Sequence, residues 1–205
     1  ICCVNSRLTI TTAADKYRTY IKLKDYGLTQ PKTVLIPNQD ELENAVKKLD
    51  TKFPIIMKTL RGSKGVGVLF IESERALTSI VQLMYKTDSS SDLLIQEYIK
   101  SDFDVRVIVL GGKIVGTMQR DVVEGDFRSN YSQGAKVKSY KLSDLEIEQS
   151  LLAAKALDGI LTAVDFIPSK NPKTEPPFIL EVNSSPGTEG LEEANSGLNV
   201  AKTIL

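Results

Sequence analysis

The run from Phe178 to Asn183 is apolar apart from Glu181 and Asn183, so two polar residues stand in a segment that otherwise has the composition of a buried strand. Side chains alternate between the two faces of a strand, and Glu181 and Asn183 therefore project to the same side. A buried carboxylate is costly without a partner, and carboxylate and amide oxygens are ligands that Mg²⁺ accepts beside phosphate oxygens. The segment predicts a strand that holds a metal ion.

A second apolar run, from Leu161 to Ile167, carries the single acid Asp165 and is joined to the first by the polar, proline-containing segment 168–177. If the two runs pair in antiparallel fashion, Asp165 faces Glu181 and Asn183. Three oxygen-bearing side chains on one face of a hairpin would repel one another without a cation, which predicts Mg²⁺ or Mn²⁺ at this site. The alternative is a set of hydrogen-bonded acids at a solvated sheet edge.

The composition excludes several classes of function. With 41% hydrophobic and 25% charged residues among 205, the chain can bury the core of one large or two small domains. Lys plus Arg equals Asp plus Glu, at 26 each, so no global basic field favours a direct nucleic-acid partner. No apolar run approaches the roughly 20 residues that span a membrane, and we expect no membrane partner.

Rare residue types narrow the chemistry further. The chain has no histidine, which argues against Ser-His and Cys-His nucleophilic catalysis. The only cysteines, the adjacent Cys2 and Cys3, cannot staple a fold together and are too few for a zinc site. Nothing in the sequence marks it for export, so we expect a reducing, cytoplasmic location.

Apolar residues at helical spacing predict helices, whereas alternation of apolar and polar residues predicts strands. The predicted helices cover 13–26, 39–49, 73–84 and a segment that begins at the capping box of Ser143 and Glu146 and ends at Leu157. The predicted strands before the metal hairpin cover 54–58, 68–71, 93–99, 104–110 and 113–120. A turn at Gly111 and Gly112 pairs the last two, which brings Arg106 and Arg120 close together.

A glycine-rich segment, 61–67, lies between the first two predicted strands. Its glycines let backbone amides approach an anion, and Lys58 and Lys64 can add positive charge. The segment is not a Walker loop, because both the Gly-Lys-Ser/Thr ending and the following helix are missing. It predicts a lid over phosphate groups, and the alternative is a hairpin turn without a ligand.

Taken in chain order, these motifs resemble those of the ATP-grasp ligases. Within them the chain is most similar to the RimK-like branch, named for the ligase that adds glutamate to the C-terminus of a small-subunit ribosomal protein. The residues that carry the resemblance are Lys58, Gly62 to Gly67, Gln96 to Ile99, Asp104 to Arg106, the polar loop Glu124 to Asn130, Asp165, and Glu181 to Gly187. The polar loop is specific for the RimK-like branch, whereas Glu-Val-Asn followed by Pro-Gly is shared more widely.

The resemblance implies an α/β fold of the α+β type, the ATP-grasp fold, in which two α/β lobes bind a nucleotide between antiparallel sheets. It assigns 13–90 to a smaller lobe with the glycine-rich loop and 91–205 to a larger lobe with the metal hairpin. The family carries a further N-terminal α/β domain, so 1–12 would be the remnant of a linker from that domain.

The resemblance also implies the roles of individual residues. The residues that it implies bind the nucleotide, at its phosphate, adenine or sugar, are Lys58, Gly62, Ser63, Lys64, Gly65, Gly67, Glu97, Tyr98, Ile99, Asp104, Arg128, Ser129 and Asn130. Asp165, Glu181 and Asn183 match the metal ligands. The catalytic set, which would hold the reacting carboxylate and the developing charge, is Arg106, Arg120 and Arg128.

The activity that the resemblance implies is that of an ATP-dependent carboxylate-amine ligase acting through an acyl phosphate. The expected partners are ATP, Mg²⁺ or Mn²⁺, an amino acid for which glutamate is the first candidate, and a protein or peptide acceptor; a homo-oligomer is compatible with them. One alternative is ligation onto an amino-group carrier protein, a cofactor tail or a small peptide. Another is a module that binds ATP without turnover, because Gln133-Gly134-Ala135 replaces the basic residue and two glycines usual in the family.

Overall fold

The computed structural model describes residues 4–61, 67–88, 92–123, 129, 131 and 134–204. The chain divides into two compact units: Pro31–Lys100 form the smaller, and Ile1–Gln30 with Ser101–Leu205 form the larger. This division differs from the predicted lobes, 13–90 and 91–205, at both boundaries. The strand after residue 91 pairs within the smaller sheet, and the first thirty residues cluster with the larger unit rather than acting as a linker.

Helices and strands follow the predicted order, with boundaries that differ by a few residues. The helices are α1 Arg7–Ala13, α2 Lys16–Asp25, α3 Leu42–Leu49, α4 Glu74–Thr87, α5 Asp144–Ala156, α6 Glu189–Ala194 and α7 Val200–Ile204. The strands are β1 Thr33–Ile36, β2 Ile55–Thr59, β3 Val68–Ile71, β4 Leu93–Glu97, β5 Phe103–Leu110, β6 Lys113–Asp121, β7 Val137–Ser139, β8 Leu161–Ile167 and β9 Phe178–Asn183. In the described part of the chain, no helix has both the length and the apolarity needed to cross a membrane.

The smaller unit is a four-stranded antiparallel sheet in the order β1-β4-β2-β3. Alternate residues of its central strands, including Ile55, Met57 and Ile95, are buried in one core with Leu77 of α4. Because side chains alternate along a strand, Lys58 of β2 projects to the other face of the sheet. The helices pack on the face that carries Ile55 and Met57, so the predicted phosphate-binding lysine lies on the opposite face.

The larger unit is a five-stranded antiparallel sheet in the order β7-β6-β5-β8-β9. One face is largely apolar at its centre: Val105, Val107 and Phe166 are buried there against α2 and α5. The strands alternate, so the opposite face carries the predicted polar residues of β5, β8 and β9. A second, smaller core that includes Ile108 and Leu191 covers the other end of this face.

The opposite face of the larger sheet is therefore divided along its strands. Near Leu110, at the end of β5, this face is covered by α6 and α7. Near Asp104, at the start of β5, the face is polar. Gly116 of β6 allows this covering, since a Cβ there would lie 2.9 Å from the Leu198 side chain. The sheet thus presents a polar patch bounded by an apolar core.

The predicted helix over 13–26 corresponds to α2, which begins at Lys16, three residues later than predicted. Asp15 has extended backbone angles, and its Oδ1 accepts hydrogen bonds from the backbone amides of Tyr17 and Arg18, so it caps α2. Acidic residues stabilise helix N-termini in this way. The helix before it, α1, was not predicted.

The capping box predicted at the start of α5 is confirmed. The backbone amide of Glu146 donates to Ser143 Oγ, and the backbone amide of Ser143 donates to Glu146 Oε2 at 2.8 Å. Glu146 is 1% exposed, and Tyr140 Oη donates to its second carboxylate oxygen at 3.1 Å. A glutamate that the pattern assigned to a helix terminus is thus also a buried acceptor for a neighbouring tyrosine.

Candidate active site

The predicted metal hairpin forms as an antiparallel pair of β8 and β9. Asp165 lies directly opposite Glu181, and Ala163 lies opposite Asn183. This register places Asp165, Glu181 and Asn183 on one face of the sheet, as the alternation of their sequences indicated. Asp165 is 2% exposed, whereas Glu181 and Asn183 are half-buried.

Both oxygens of Asp165 are bound to arginine. Arg106, its partner in the β5–β8 register, donates from Nε to Oδ1 at 2.7 Å and from Nη2 to Oδ2 at 2.6 Å. Arg120 approaches from β6, with its Nη2 3.1 Å from Oδ2. The predicted closeness of Arg106 and Arg120 is therefore confirmed, and a shared carboxylate holds them together.

Arg120 also binds a second acid. It lies opposite Asp104 in the β5–β6 register and donates from Nε and Nη2 to the two carboxylate oxygens, each at 2.7 Å. Asp104, Arg120, Asp165 and Arg106 thus form an alternating chain of charges across the sheet, which we call the charge ladder. Two bidentate arginine pairs give this ladder a fixed geometry.

The ladder's charges perturb one another. Burial alone would raise the pKa of Asp165, but Arg106 and Arg120 outweigh it and hold that pKa below the usual range. Burial raises the pKa of Asp104, and the opposing effects of Arg120, which is shared with Asp165, and of Ser129 do not offset it. Burial would lower the pKa of Arg120, yet Asp165 and Asp104 raise it above the ordinary value, so this arginine stays charged.

The ladder corrects one step of the argument from sequence. Repulsion among uncompensated acids does not apply to Asp165, because two arginines already neutralise it. The ladder is neutral as a whole, and Glu181 is a further carboxylate beside it, which shares a hydrogen bond with Asp165 and helps to raise the pKa of Arg106 and of Arg120. Glu181 Oε1 accepts a hydrogen bond from Asn183 Nδ2 at 2.9 Å.

The donor set still fits a divalent cation. Glu181 and Asn183 are half-buried neighbours on the face that bears Asp165, and carboxylate and amide oxygens are the ligand types that Mg²⁺ takes when phosphate oxygens complete its shell. Within the described residues, no group of three or more acids, histidines or cysteines could hold a metal by itself. Oxygens from a phosphate-bearing substrate are therefore needed to complete such a site.

Lys16 is a residue near this site that the sequence did not single out. It is half-buried at the first turn of α2, which packs against β9. Burial lowers the pKa of Lys16, while Glu181 and Asp15 act in the opposite direction. The sequence shows only a lysine at a helix start; the packing of α2 on β9 brings it into the field of Glu181.

In the smaller unit, the described nucleotide-binding candidates have partners of their own. Lys58 Nζ donates to Gln96 Oε1 at 2.7 Å, and Gln96 Nε2 donates to Thr33 Oγ1 at 2.8 Å. Glu97 exchanges backbone and side-chain hydrogen bonds with Lys32: its amide donates to the Lys32 carbonyl at 2.9 Å, and its Oε2 accepts from the Lys32 amide at 3.3 Å. Lys58 therefore lies on a polar surface opposite the helices.

Two further candidates in this unit are held by packing. The ring of Tyr98 meets that of Phe70 edge to face, with centroids 5.0 Å apart, and Ile99 follows it, half-buried. Gly67 has φ 79, and a Cβ there would lie 2.3 Å from Thr59 Oγ1, so a glycine is needed where the β2–β3 connection closes.

The remaining candidates are divided by what the structure describes. Ser129 is buried, and its hydrogen bond to Asp104 favours the charged form of that acid. Outside the described residues lie Gly62, Ser63, Lys64, Gly65, Arg128 and Asn130. The structure thus brings Asp104, Arg106, Arg120 and the three metal-ligand candidates together on one sheet face, and it shows Lys58, Gly67 and residues 97–99 within the smaller unit.

Comparison with known proteins supplies the family. Residues 13–205 match the RimK-like ATP-grasp domain. A protein of Coxiella burnetii named probable alpha-L-glutamate ligase is 38% identical over 192 residues, which cover 93% of this chain and 62% of that protein. The chain thus spans about three-fifths of the length of this curated relative.

Solved structures agree on the fold. The RimK domain protein ATP-grasp from Sphaerobacter thermophilus superposes with a TM-score of 0.75 at 19% identity, covering 98% of this chain and 69% of that one. The ATP-grasp ligase PsnB, complexed with a phosphomimetic variant of its minimal precursor, Mg and ADP, gives 0.74 at 19% identity over 98% of this chain and 59% of its own. The protein described here belongs to the RimK-like ATP-grasp family.

Proposed function

We propose that this chain carries the chemistry of an ATP-dependent carboxylate-amine ligase and that the amino acid it adds is L-glutamate, as the name of the Coxiella burnetii relative suggests. The supporting observation is the polar patch of the larger sheet. Oxygen ligands on Asp165, Glu181 and Asn183 lie beside the guanidinium of Arg106. A cation and an anionic reactant can both be held by such a patch.

The reaction proceeds in two steps. The carboxylate of the acceptor attacks the terminal phosphorus of ATP, ADP leaves, and an acyl phosphate forms. The amine of the incoming amino acid then attacks the acyl carbon, phosphate leaves, and an amide remains. No protein nucleophile takes part, which agrees with the absence of histidine; the protein contributes positioning and charge.

The metal site of the proposal consists of Asp165, Glu181 and Asn183, which would hold Mg²⁺ or Mn²⁺. When bound, this ion neutralises charge on the phosphate oxygens. Glu181 supplies a carboxylate in addition to those of the charge ladder. Asn183 Nδ2 donates to Glu181 Oε1 at 2.9 Å, and the proposal assigns Glu181 Oε2 and the side-chain oxygen of Asn183 to the ion.

The two described arginines have different roles in the proposal. The side chain of Arg106 is 16% exposed and that of Arg120 is 4% exposed, so Arg106 is the one that can reach a substrate. We assign Arg106 to the reacting carboxylate and its phosphorylated form. Arg120 is a positioning residue, because it binds Asp104 and Asp165 from inside the sheet. Of the two described arginines in the catalytic set that the resemblance implies, only Arg106 therefore contacts the substrate in the proposal.

The proposal takes the nucleotide contacts of the smaller unit from the resemblance. Lys58 would bind phosphate, with Gln96 orienting its ammonium, and the backbone of 97–99 would read the adenine edge. The sugar contact implied for Asp104 would use lone pairs beyond its two hydrogen bonds from Arg120, just as Asp165 would bind the ion beyond its hydrogen bonds from Arg106. ATP completes the set of partners in the proposal.

The acceptor in the proposal is the C-terminus of a protein or peptide in the cytoplasm. The choice of a protein or peptide as acceptor is supported by the similarity in fold to PsnB, a ligase solved in complex with a variant of its minimal precursor. Ligation onto an amino-group carrier protein, a cofactor tail or a small peptide would use the same steps. The two readings therefore differ only in the acceptor that is extended.

The test is the intact mass of a peptide that ends in glutamate after incubation with the chain, Mg-ATP and L-glutamate, with ADP followed in parallel. Stepwise increases of one glutamate with matching ADP would support the proposal, provided that Glu181→Ala weakens both signals at the same Mg²⁺ concentration. Glu148→Gln, an exposed change on α5, is the matched control and should have no effect. ADP without extension would redirect the search to other acceptors. Binding of Mn²⁺ and ADP without either product would indicate a module that binds ATP only.

A further inference from the structure

Asn5 is a buried polar residue far from the site in sequence. It is 1% exposed, and its φ of 70 lies in the left-handed region that asparagine tolerates better than most residues. Its Nδ2 donates to the carbonyls of Leu161 at 2.7 Å and Ser184 at 2.6 Å. Its Oδ1 accepts from the amides of Ile160 at 2.9 Å and Leu161 at 3.1 Å.

These bonds use the whole capacity of the side-chain amide: two donor hydrogens and two acceptor lone pairs. The last paired residues of β8 and β9 are Ala163 and Asn183. Two residues before Ala163, both the amide and the carbonyl of Leu161 are bound by Asn5, as a residue of a neighbouring strand would bind them. The Asn5 side chain therefore continues the pattern of interstrand hydrogen bonds between β8 and the end of β9.

The location of this contact matters because Ser184 directly follows Asn183. A hydrogen bond to the Ser184 carbonyl restrains the peptide unit between Ser184 and Ser185, one residue beyond Asn183, and the bonds to Leu161 restrain the strand that carries Asp165. Asn5 thus links the residue that follows β9 to the start of β8. The side chain thus ties together the two strands that bear the oxygen ligands.

We propose that Asn5 is a positioning residue of the cation site, which sets Asn183 and Glu181 relative to Asp165 by fixing the exit of β9 to β8. The proposal rests on the proposed function, because it takes these three residues as the cation ligands. Partners that orient metal ligands are worth about 10- to 100-fold in metal affinity in other proteins. A loss of about tenfold is therefore the expected scale for removing the Asn5 amide.

The first experiment measures Mn²⁺ binding in the presence of ADP, without turnover, for the chain and for Asn5→Gly. Glycine removes the amide and tolerates the φ of 70. The matched control is Thr9→Val. Thr9 is 1% exposed and donates from Oγ1 to the Asp158 carbonyl at 3.0 Å, so its hydroxyl ties α1 to the turn before β8.

The expected result is Mn²⁺ affinity about tenfold weaker in Asn5→Gly and unchanged in Thr9→Val, with comparable losses of melting temperature. Equal affinities in both variants would overturn the positioning role and leave Asn5 as a structural residue. Failure of the proposed function has a separate signature: Glu181→Gln would then bind Mn²⁺ as well as the unchanged chain does.

A second experiment needs no variant and so does not depend on Asn5→Gly folding. Coupling between two sites is reciprocal, so a cation that depends on Asn5 must in turn stabilise the hydrogen bonds of Asn5. Addition of Mg²⁺ and ADP should slow hydrogen exchange of the Ile160 and Leu161 amides, which donate to Asn5 Oδ1. The Gly111 amide, bound to the Ile160 carbonyl on the other side of β8, is the internal reference. No added protection of the first two relative to Gly111 would overturn the proposal.

Discussion

Arg120 lies directly opposite Asp104 on adjacent strands and donates two hydrogen bonds of 2.7 Å to its carboxylate, at a position where the arginine side chain is 4% exposed. A pair this deeply buried is costly to break, because the remaining charge keeps its desolvation penalty without its partner. The same arginine also contacts Asp165. Its geometry therefore affects stability and the candidate site together.

Replacing Asp104 by asparagine should lower the free energy of unfolding by about 3 kcal/mol or more, since Arg120 loses a bidentate partner inside the sheet. The matched control is Lys138→Ala on β7, which removes a 3.7 Å pair with Asp121 in which both side chains are exposed. Such a pair contributes about 1 kcal/mol or less. Urea denaturation of both variants checks this; similar losses would contradict the importance of burial here.

Arg106→Lys should reduce turnover far more than it reduces stability. Lysine keeps the positive charge but cannot make the two parallel hydrogen bonds to Asp165, and Asp165 retains Arg120. We expect kcat to fall by about 100-fold, the scale reported for a lost charge-stabilising donor. Steady-state kinetics and thermal melts of the same sample measure the two effects. A large loss of melting temperature with nearly normal kcat would make Arg106 a structural residue.

Asn183→Ala and Glu181→Ala should each raise the Mg²⁺ concentration needed for half-maximal ADP release while leaving the fold intact. Both side chains are half-buried at the exit of β9 and bind each other rather than the apolar core. Loss of the partly buried hydrogen bond between them should cost about 1 kcal/mol of stability. Titration of Mg²⁺ against ADP release checks the prediction. Unchanged Mg²⁺ dependence in both variants would contradict the metal assignment.

Tyr140 predicts a pH dependence of stability. Burial, helped by Glu146, raises the pKa of Tyr140 to about 12, against an ordinary value of about 10 in the unfolded chain. The neutral form is therefore favoured by folding, so the contribution of Tyr140 is complete below pH 10 and is lost as the pH rises to about 12. The stability gap between the unchanged chain and Tyr140→Phe should be constant below pH 10 and shrink above it. Unfolding in urea at stepped pH measures the gap, and a gap that stays constant to pH 12 would contradict the prediction.

Much of the fold could be predicted from residues that are close together in the sequence. The hairpin of β8 and β9 was predictable because apolar alternation, a polar connection and two same-face residues on β9 all indicate the same pairing. The start of α5 was predictable because a capping box requires only residues three apart. The start of α2 was predicted three residues too early, because the backbone angles and the cap at Asp15, which place it at Lys16, are seen only in the structure.

The charge ladder could not be derived from the sequence in the same way. Asp165 was expected to be an unpaired acid, because its arginine partners come from β5 and β6, and their register with β8 depends on the whole sheet. Asn5 was hidden for a similar reason: its bonds reach residues more than 150 positions away. Long-range partners of this kind follow from packing, whereas the sequence shows only which residues need a partner.

The charge ladder also specifies how the strands of the larger sheet align. If β6 slid by two residues against β5, side chains would keep their faces, but Asp104 would meet Met118 instead of Arg120. A buried carboxylate opposite a thioether is strongly disfavoured. On the other face, β6 pairs Gln119 and Thr117 with Val105 and Val107 of β5, and these uncharged pairs would oppose that slip far less. The correct alignment during folding is therefore encoded by the charged residues that the chemistry also needs.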